Sequence, residues 1–113
     1  MKRIEAIVRP SKVRDVCIAL EKVGHPGIMI TEFEGHGKQL GEEQRWRGKT
    51  YKVELLTKSR VELIVRDCDC DGIIEAITAV ACTGKIGDGK IFIHPVDDAV
   101  RIRTAERGDA AIE

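Results

Sequence analysis

The sequence predicts an α+β fold: a ferredoxin-like βαββαβ sandwich, the split βαβ arrangement in which an antiparallel sheet carries both helices on one face. Three observations predict it. Apolar and charged residues alternate over 2–9 and again over 60–65, the period of a half-buried strand. Residues 11–23 and 71–81 space their apolar positions at helical intervals. A short apolar run at 91–94 follows a glycine-rich segment and supplies a fourth strand.

In the first strand Ile4, Ala6 and Val8 point one way and Arg3, Glu5 and Arg9 the other, with Ile7 the exception. Pro10 ends it, having no N–H for a ladder, and Ser11 is a suitable N-cap. Val13, Val16, Cys17, Leu20 and Val23 form the first helical stripe, which Gly24 and Pro26 stop. Residues 27–35 read as the second strand. Residues 36–52 follow neither period, and they hold three glycines, charges of both signs and the chain's single Trp and Tyr, Trp46 and Tyr51. A long stretch of this kind is usually functional, and aromatics beside arginines commonly anchor interfaces. It reads as a long flexible loop that binds something. A solvent-exposed hairpin extension explains its charges equally well. Residues 53–66 return to strand character, and Asp71 would cap a second helix carrying Ile73, Ile74, Ile77, Val80 and Ala81. The strand Ile91–His94 and a charged tail, Pro95–Glu113, complete the chain. The sheet face away from the helices would carry Ile7, Met29 and Ile64, apolar positions that self-association would bury.

A length of 113 residues suits one domain. Nineteen Lys and Arg balance 19 Asp and Glu, so no global charge points to nucleic acid or an anionic membrane. No apolar run is long enough to span a bilayer, and the first residues enter a strand pattern with no signal-peptide core, so a cytoplasmic protein is expected. Of the cysteines, Cys17 and Cys82 fall on apolar helix faces and read as small core residues. Cys68-Asp-Cys70 has neither a second pair nor a nearby His, and reads as an incidental loop pair rather than a zinc site. His25, His36 and His94 follow no ligand spacing.

The most informative stretch is Thr83-Gly-Lys-Ile-Gly-Asp-Gly-Lys-Ile-Phe-Ile93. Three glycines and two lysines occupy residues 83–90, directly before a strand. Glycines let backbone N–H groups approach an anion, and ammonium groups add charge, so the segment suggests a phosphate cradle. It is not a P-loop. Gly84–Lys90 fits G-x-x-x-x-G-K, but Ile91 stands where a P-loop has Ser or Thr, and a strand follows where a helix is needed. A glycine-rich turn bearing two solvated lysines accounts for the composition as well. No group looks like a placed general base or nucleophile, so no enzyme is expected.

The chain resembles the PII nitrogen-regulatory signalling proteins over essentially its whole length. The resemblance rests on residues 83–92, on Pro95-Val, on Arg101-Ile-Arg-Thr-Ala-Glu-Arg107, and on Gly35-His-Gly-Lys-Gln39, Gly41, Arg47-Gly48 and Tyr51. It implies a homotrimer with ATP or ADP in clefts between subunits, with Mg²⁺-ATP permitting 2-oxoglutarate to bind. It divides the chain into an effector loop (37–55, the family's T-loop), a phosphate loop (82–90) and a closing tail (96–113). The implied nucleotide residues are Ile7, Gly35, Gly37, Lys38, Gln39, Glu62, Ile64, Thr83, Gly87, Asp88, Gly89 and Lys90, with Arg101 and Arg103 reaching in from the neighbouring subunit. Ile7 and Ile64 would flank the adenine, and Gln39 would offer its amide oxygen to Mg²⁺. The implied 2-oxoglutarate residues are Arg9, Gln39, Leu40, Gly41, Lys58 and Gly87. Tyr51 matches a position that many bacterial relatives modify by uridylylation. Implied partners are an ammonium transporter or enzymes of nitrogen metabolism, engaged through the loop, with neither nucleic-acid binding nor membrane insertion.

Three departures stand out. Lys38 replaces a common Arg and loses the bidentate fork. Met29 replaces a Thr whose hydroxyl helps hold adenine. Trp46 replaces a Tyr of some members. The alternatives are a metal-binding trimer using Cys68, Cys70 or the histidines, a small nucleotide-dependent enzyme, and a regulator specialised for nitrogenase.

Overall fold

The computed structural model describes residues 1–25, 27–46 and 49–113, the side chains of 35–56 excepted. Strands β1 (Lys2–Val8), β2 (Met29–Trp46), β3 (Lys49–Val65) and β4 (Lys90–Pro95) form one antiparallel sheet in the order β2-β3-β1-β4. Helices α1 (Val13–Lys22) and α2 (Cys70–Ala81) lie against it, and a short helix α3 (Asp109–Ile112) ends the tail. This strand order, with the first strand inside and the second and fourth at the edges, is the ferredoxin-like topology. Among the described residues no helix is long and apolar enough to cross a membrane.

The alternation in β1 works as its period requires. Ile4, Ala6 and Val8 are buried, and they meet Val61, Leu63 and Val65 of β3 under Val16 and Leu20 of α1 and Ile73 and Ile77 of α2. A fully buried aliphatic side chain of this size contributes about 1.5–3 kcal/mol relative to an exposed one. The core is built on β1 and β3. Ile30 and Ile93, on the edge strands, share the helix side but remain 48 % exposed each. Helix α1 stops as its glycine predicts. Gly24 has φ +87°, its N–H donates to Glu21 at 3.0 Å, and the His25 N–H donates to Leu20 at 2.9 Å. This is the Schellman pattern of crossed terminal bonds. Pro26 lies outside the described residues.

Both helix starts differ from expectation. Pro10 opens a 3₁₀ turn, Pro10–Lys12, so Ser11 sits inside that turn and Lys12 precedes α1 without a side-chain cap. A second such turn, Asp67–Asp69, leads into α2, which places Asp71 within the helix and not at its cap. The earlier start sets the buried stripe at Cys70, Ile73, Ile77 and Ala81. Cys70 is therefore the core cysteine. Cys82 falls one residue beyond the helix, extended and exposed, and Cys17 is only half-buried.

Residues 36–46 and 49–52, which carry no period, continue β2 and β3 as a paired ribbon, with a register shift between Leu40 and Gln44. A segment polar on both faces has no hydrophobic alternation to announce pairing. Its backbone thus takes the hairpin-extension form. Arg47 and Gly48 lie outside the described residues.

Facing away from the helices are Arg3, Glu5 and Ile7 of β1, Met29 and Phe33 of β2, Arg60, Glu62 and Ile64 of β3, and Phe92 and His94 of β4. Met29 is 56 %, Phe92 46 % and Phe33 36 % exposed, so this face is more apolar than Ile7, Met29 and Ile64 alone predict. Arg3 spans it, 3.2 Å from Glu62 and 3.8 Å from Glu5.

Candidate anion-binding site

The loop between α2 and β4 closes on its own aspartate. The Asp88 carboxylate accepts the Thr83 N–H at 2.8 Å, the Thr83 hydroxyl, and the Gly84 N–H at 3.0 Å. The Thr83 hydroxyl accepts the Lys85 N–H in turn, at 3.2 Å. Arg9, just beyond β1, donates from Nε to Asp88 at 3.2 Å and from Nη2 to the Ile86 carbonyl at 2.8 Å. The Thr83 hydroxyl and N–H hold the Asp88 carboxyl well below the usual carboxylate range, with Gly84 and Arg9 adding to this against a smaller cost of desolvation. Asp88 therefore stays ionised and organises the loop.

Two glycines permit the shape. Gly89 has φ +98°, and a Cβ there would stand 1.7 Å from the Ile7 carbonyl oxygen, where neither backbone can yield. Gly87 has φ +101°, and a Cβ there would press on the Arg9 guanidinium at 3.3 Å. Lys58 reaches the same loop from β3, its ammonium donating to the Gly87 carbonyl. The register explains the convergence: Val8 pairs with Ser59 and Ile7 with Lys90, so the end of β1, Lys58 and the start of β4 share one edge of the fold. Between them lies a cleft of about 440 Å³ lined by Ile7, Lys58, Lys85, Gly87, Lys90 and Phe92. Among the described residues its one carboxylate, Asp88, is already bound to Thr83, Gly84 and Arg9. The arrangement suits an anion with several oxygens, since ammonium groups and closely approachable backbone are what such a ligand needs.

Of the expected site residues, the structure brings together Ile7, Arg9, Lys58, Thr83, Gly87, Asp88, Gly89 and Lys90. Asp88 differs in kind from the rest: it holds the loop rather than facing an anion. Glu62 and Ile64 lie elsewhere in the same chain. Ile64 pairs across from Arg3 and Ile7 from Arg60, four positions apart along β1, about 13 Å at strand rise. Arg101 is engaged within the tail and Arg103 is exposed there. Gly35, Gly37 and Gly41 belong to β2, and the side-chain roles expected of Lys38, Gln39, Leu40, Trp46 and Tyr51 lie outside the described residues. Lys85 and Phe92 line the cleft without having been assigned to the site. The alternation of Ile91-Phe92-Ile93 could have indicated the latter. No group of three His, Cys, Asp or Glu suited to a metal occurs among the described residues. Burial pushes the Cys70 thiol up, which makes it a poor ligand or nucleophile.

Comparison with known proteins shows the family of the chain. The family model for "Nitrogen regulatory protein P-II" matches residues 1–106. The chain is 49 % identical over 112 residues to nitrogen regulatory protein P-II 2 of Methanothermobacter thermautotrophicus, covering 99 % of this chain and 97 % of that one. It is 47 % identical to nitrogen regulatory protein P-II of Nostoc punctiforme, covering 99 % of this chain and 100 % of that one. Among solved structures, Arabidopsis thaliana PII bound to citrate superposes with a TM-score of 0.80 at 34 % identity, over 99 % of this chain and 89 % of that one.

Proposed function

This chain belongs to the P-II family of nitrogen regulatory proteins, which are regulatory signal transducers, and we propose that it binds ATP or ADP together with 2-oxoglutarate and reports their levels to target proteins. The observation that carries this reading is the gathering of Arg9, Lys58, Lys85 and Lys90 around a glycine loop whose carboxylate is consumed internally. In this reading Gly87, Gly89 and Lys90 lie along the phosphates, with Thr83 and Asp88 fixing the loop. Mg²⁺, when bound with ATP, supplies a hard cation that prefers oxygen ligands, and Gln39 would offer it an amide oxygen. Lys58 exchanges the Gly87 carbonyl for a ligand carboxylate, with Arg9 beside it and the backbone of Leu40, Gly41 and Gly87 completing the site. A citrate-bound relative of the same fold supports a cleft that takes polycarboxylates.

The subunits would form a homotrimer. The apolar sheet face supports this, as does the distance between the Ile7 and Ile64 ends of that face. A nucleotide touching both sets of residues does so between two subunits, where Glu62, Ile64, Arg101 and Arg103 of one face the cradle of the next. The segments 37–55, 82–90 and 96–113 act as effector loop, phosphate loop and closing tail. Occupancy shifts the effector loop between conformations by no more than the ligand's differential affinity for them, of order 1–3 kcal/mol. The loop's targets would be an ammonium transporter or enzymes of nitrogen metabolism, and Tyr51 is its candidate modification site.

The test is calorimetric titration with 2-oxoglutarate, with and without Mg²⁺-ATP. Binding only in the presence of ATP is the expected result. ATP binding without response to 2-oxoglutarate would indicate a member that reads adenylates alone, and no ATP binding would overturn the site.

A further inference from the structure

Arg101 is held by three acceptors from its own tail. Nη1 donates to Glu106 Oε1 at 3.0 Å, and Nη2 donates to the main-chain oxygens of Ala110 at 3.0 Å and Glu113 at 2.7 Å. Two acceptors on one nitrogen use both of its hydrogens. A guanidinium offers an anion a two-bond fork in two ways: end-on through Nη1 and Nη2, or side-on through Nε and Nη2. Both forks need a hydrogen on Nη2. Arg101 therefore cannot grip a phosphate bidentately while both main-chain oxygens hold it.

The tail is shaped to deliver those oxygens. Arg101 N–H donates to Glu106 at 2.9 Å and Ala105 N–H to Arg101 at 2.7 Å, closing a tight turn with Ala105 at φ +60°. That left-handed conformation is costly for a residue with a Cβ, so the turn is held by its surroundings. Gly108 N–H then bonds the Ala99 carbonyl and Asp98 Oδ1, each at 3.1 Å, and Ala111 N–H returns to Gly108 at 2.9 Å. Ile112 and Glu113 thereby wall a cavity of about 620 Å³ whose other lining includes Gly27, Leu63, Ile64 and Arg66.

We propose that residues 109–113 are a latch on Arg101. A phosphate-bearing ligand binds by taking the guanidinium from the main-chain oxygens of Ala110 and Glu113, and the same release opens the cavity beside Ile64. The proposal rests on the reading that Arg101 contacts nucleotide phosphate. Because the coupling is reciprocal, ligand binding loosens 109–113 and loosening 109–113 tightens the ligand.

The test titrates ATP with Mg²⁺ into the full chain and a variant lacking residues 110–113, each with and without Arg101→Ala, as a double-mutant cycle. Removing the two main-chain acceptors should tighten ATP about fivefold to tenfold, the scale of one exposed charge-assisted hydrogen bond. Arg101→Ala should weaken binding and abolish the effect of shortening. Glu106→Gln, which leaves the chain intact, should tighten binding more modestly, and hydrogen exchange at Ala111 should quicken on saturation with ATP. Unchanged or weaker binding by the shortened chain, or tightening that persists with Arg101→Ala, would overturn the latch. An unaltered affinity in Arg101→Ala would remove Arg101 from the phosphate site. A failure of every form to bind ATP would overturn the nucleotide reading itself, and the latch with it.

Discussion

The Asp88 carboxyl accepts hydrogen bonds from Thr83, Gly84 and Arg9, and its folded value lies below the ordinary aspartate value of about 3.9. A depressed carboxyl contributes stability that is complete at neutral pH and is lost as pH falls from the ordinary value through the folded one. Asp88→Asn should therefore lower the melting temperature by a few degrees between pH 5 and 8, and the gap from the parent should close in increasingly acid solution. A gap independent of pH down to the acid limit would refute the role. Asp67, lowered by its hydrogen bond to the amino group of Met1, contributes an acid slope common to both proteins. The glycines of the loop are visible in the amino-acid order, although a plain turn before a strand would be spelled the same way. The inward use of Asp88 is not visible, since a carboxylate between glycines has the same spelling whether it faces a ligand or its own loop.

At the scale of elements, what can be read in advance follows hydrophobic period. The strand at 2–8, the stop at Gly24 and the stripe of Ile73 and Ile77 all come directly from spacing. The starts of both helices do not, because a 3₁₀ turn and a capped helix use the same vocabulary of Pro, Ser and Asp. At α2 the cap lies at Asp69 instead of Asp71, and that displacement decides which cysteine is structural. Cys70→Ser, placing a hydroxyl in the core, should cost about 1–3 kcal/mol, whereas Cys82→Ser should stay within about 0.5 kcal/mol. A thiol reagent should label Cys68 and Cys82 of the native protein quickly and Cys70 only on unfolding. The reverse order would mean that α2 begins later than described. The ribbon of β2 and β3 could be weighed only as an alternative, for the complementary reason: with no face to bury, its pairing has no signature.

At the scale of the molecule, the radius of gyration is 17.2 Å, against about 13 Å for a compact chain of this length, with a longest extent of 57 Å. The excess follows from the ribbon continuing past the helices. The fold class and the glycine loop before β4 were legible, whereas the relation of the two ends of the sheet face was not, because it depends on register. If that face is the trimer interface, Phe92→Glu should place a charge in it and yield monomers by sedimentation at micromolar concentration while the helix content is retained. A trimer that persists would place the interface elsewhere.

The register of β1 also bears on how the chain reaches this state. β1 pairs with residues 59–65 on one side and 90–95 on the other, so the first strand made is the one that waits longest for its partners. Contacts between residues so far apart in sequence slow folding, because the loop entropy is lost before the pairing is gained. The carbonyl of Ile7 meets Gly89 only when β4 docks. The proposed anion site would thus be complete only in the finished sheet, and the onset of ATP binding there during refolding would time the last strand's arrival.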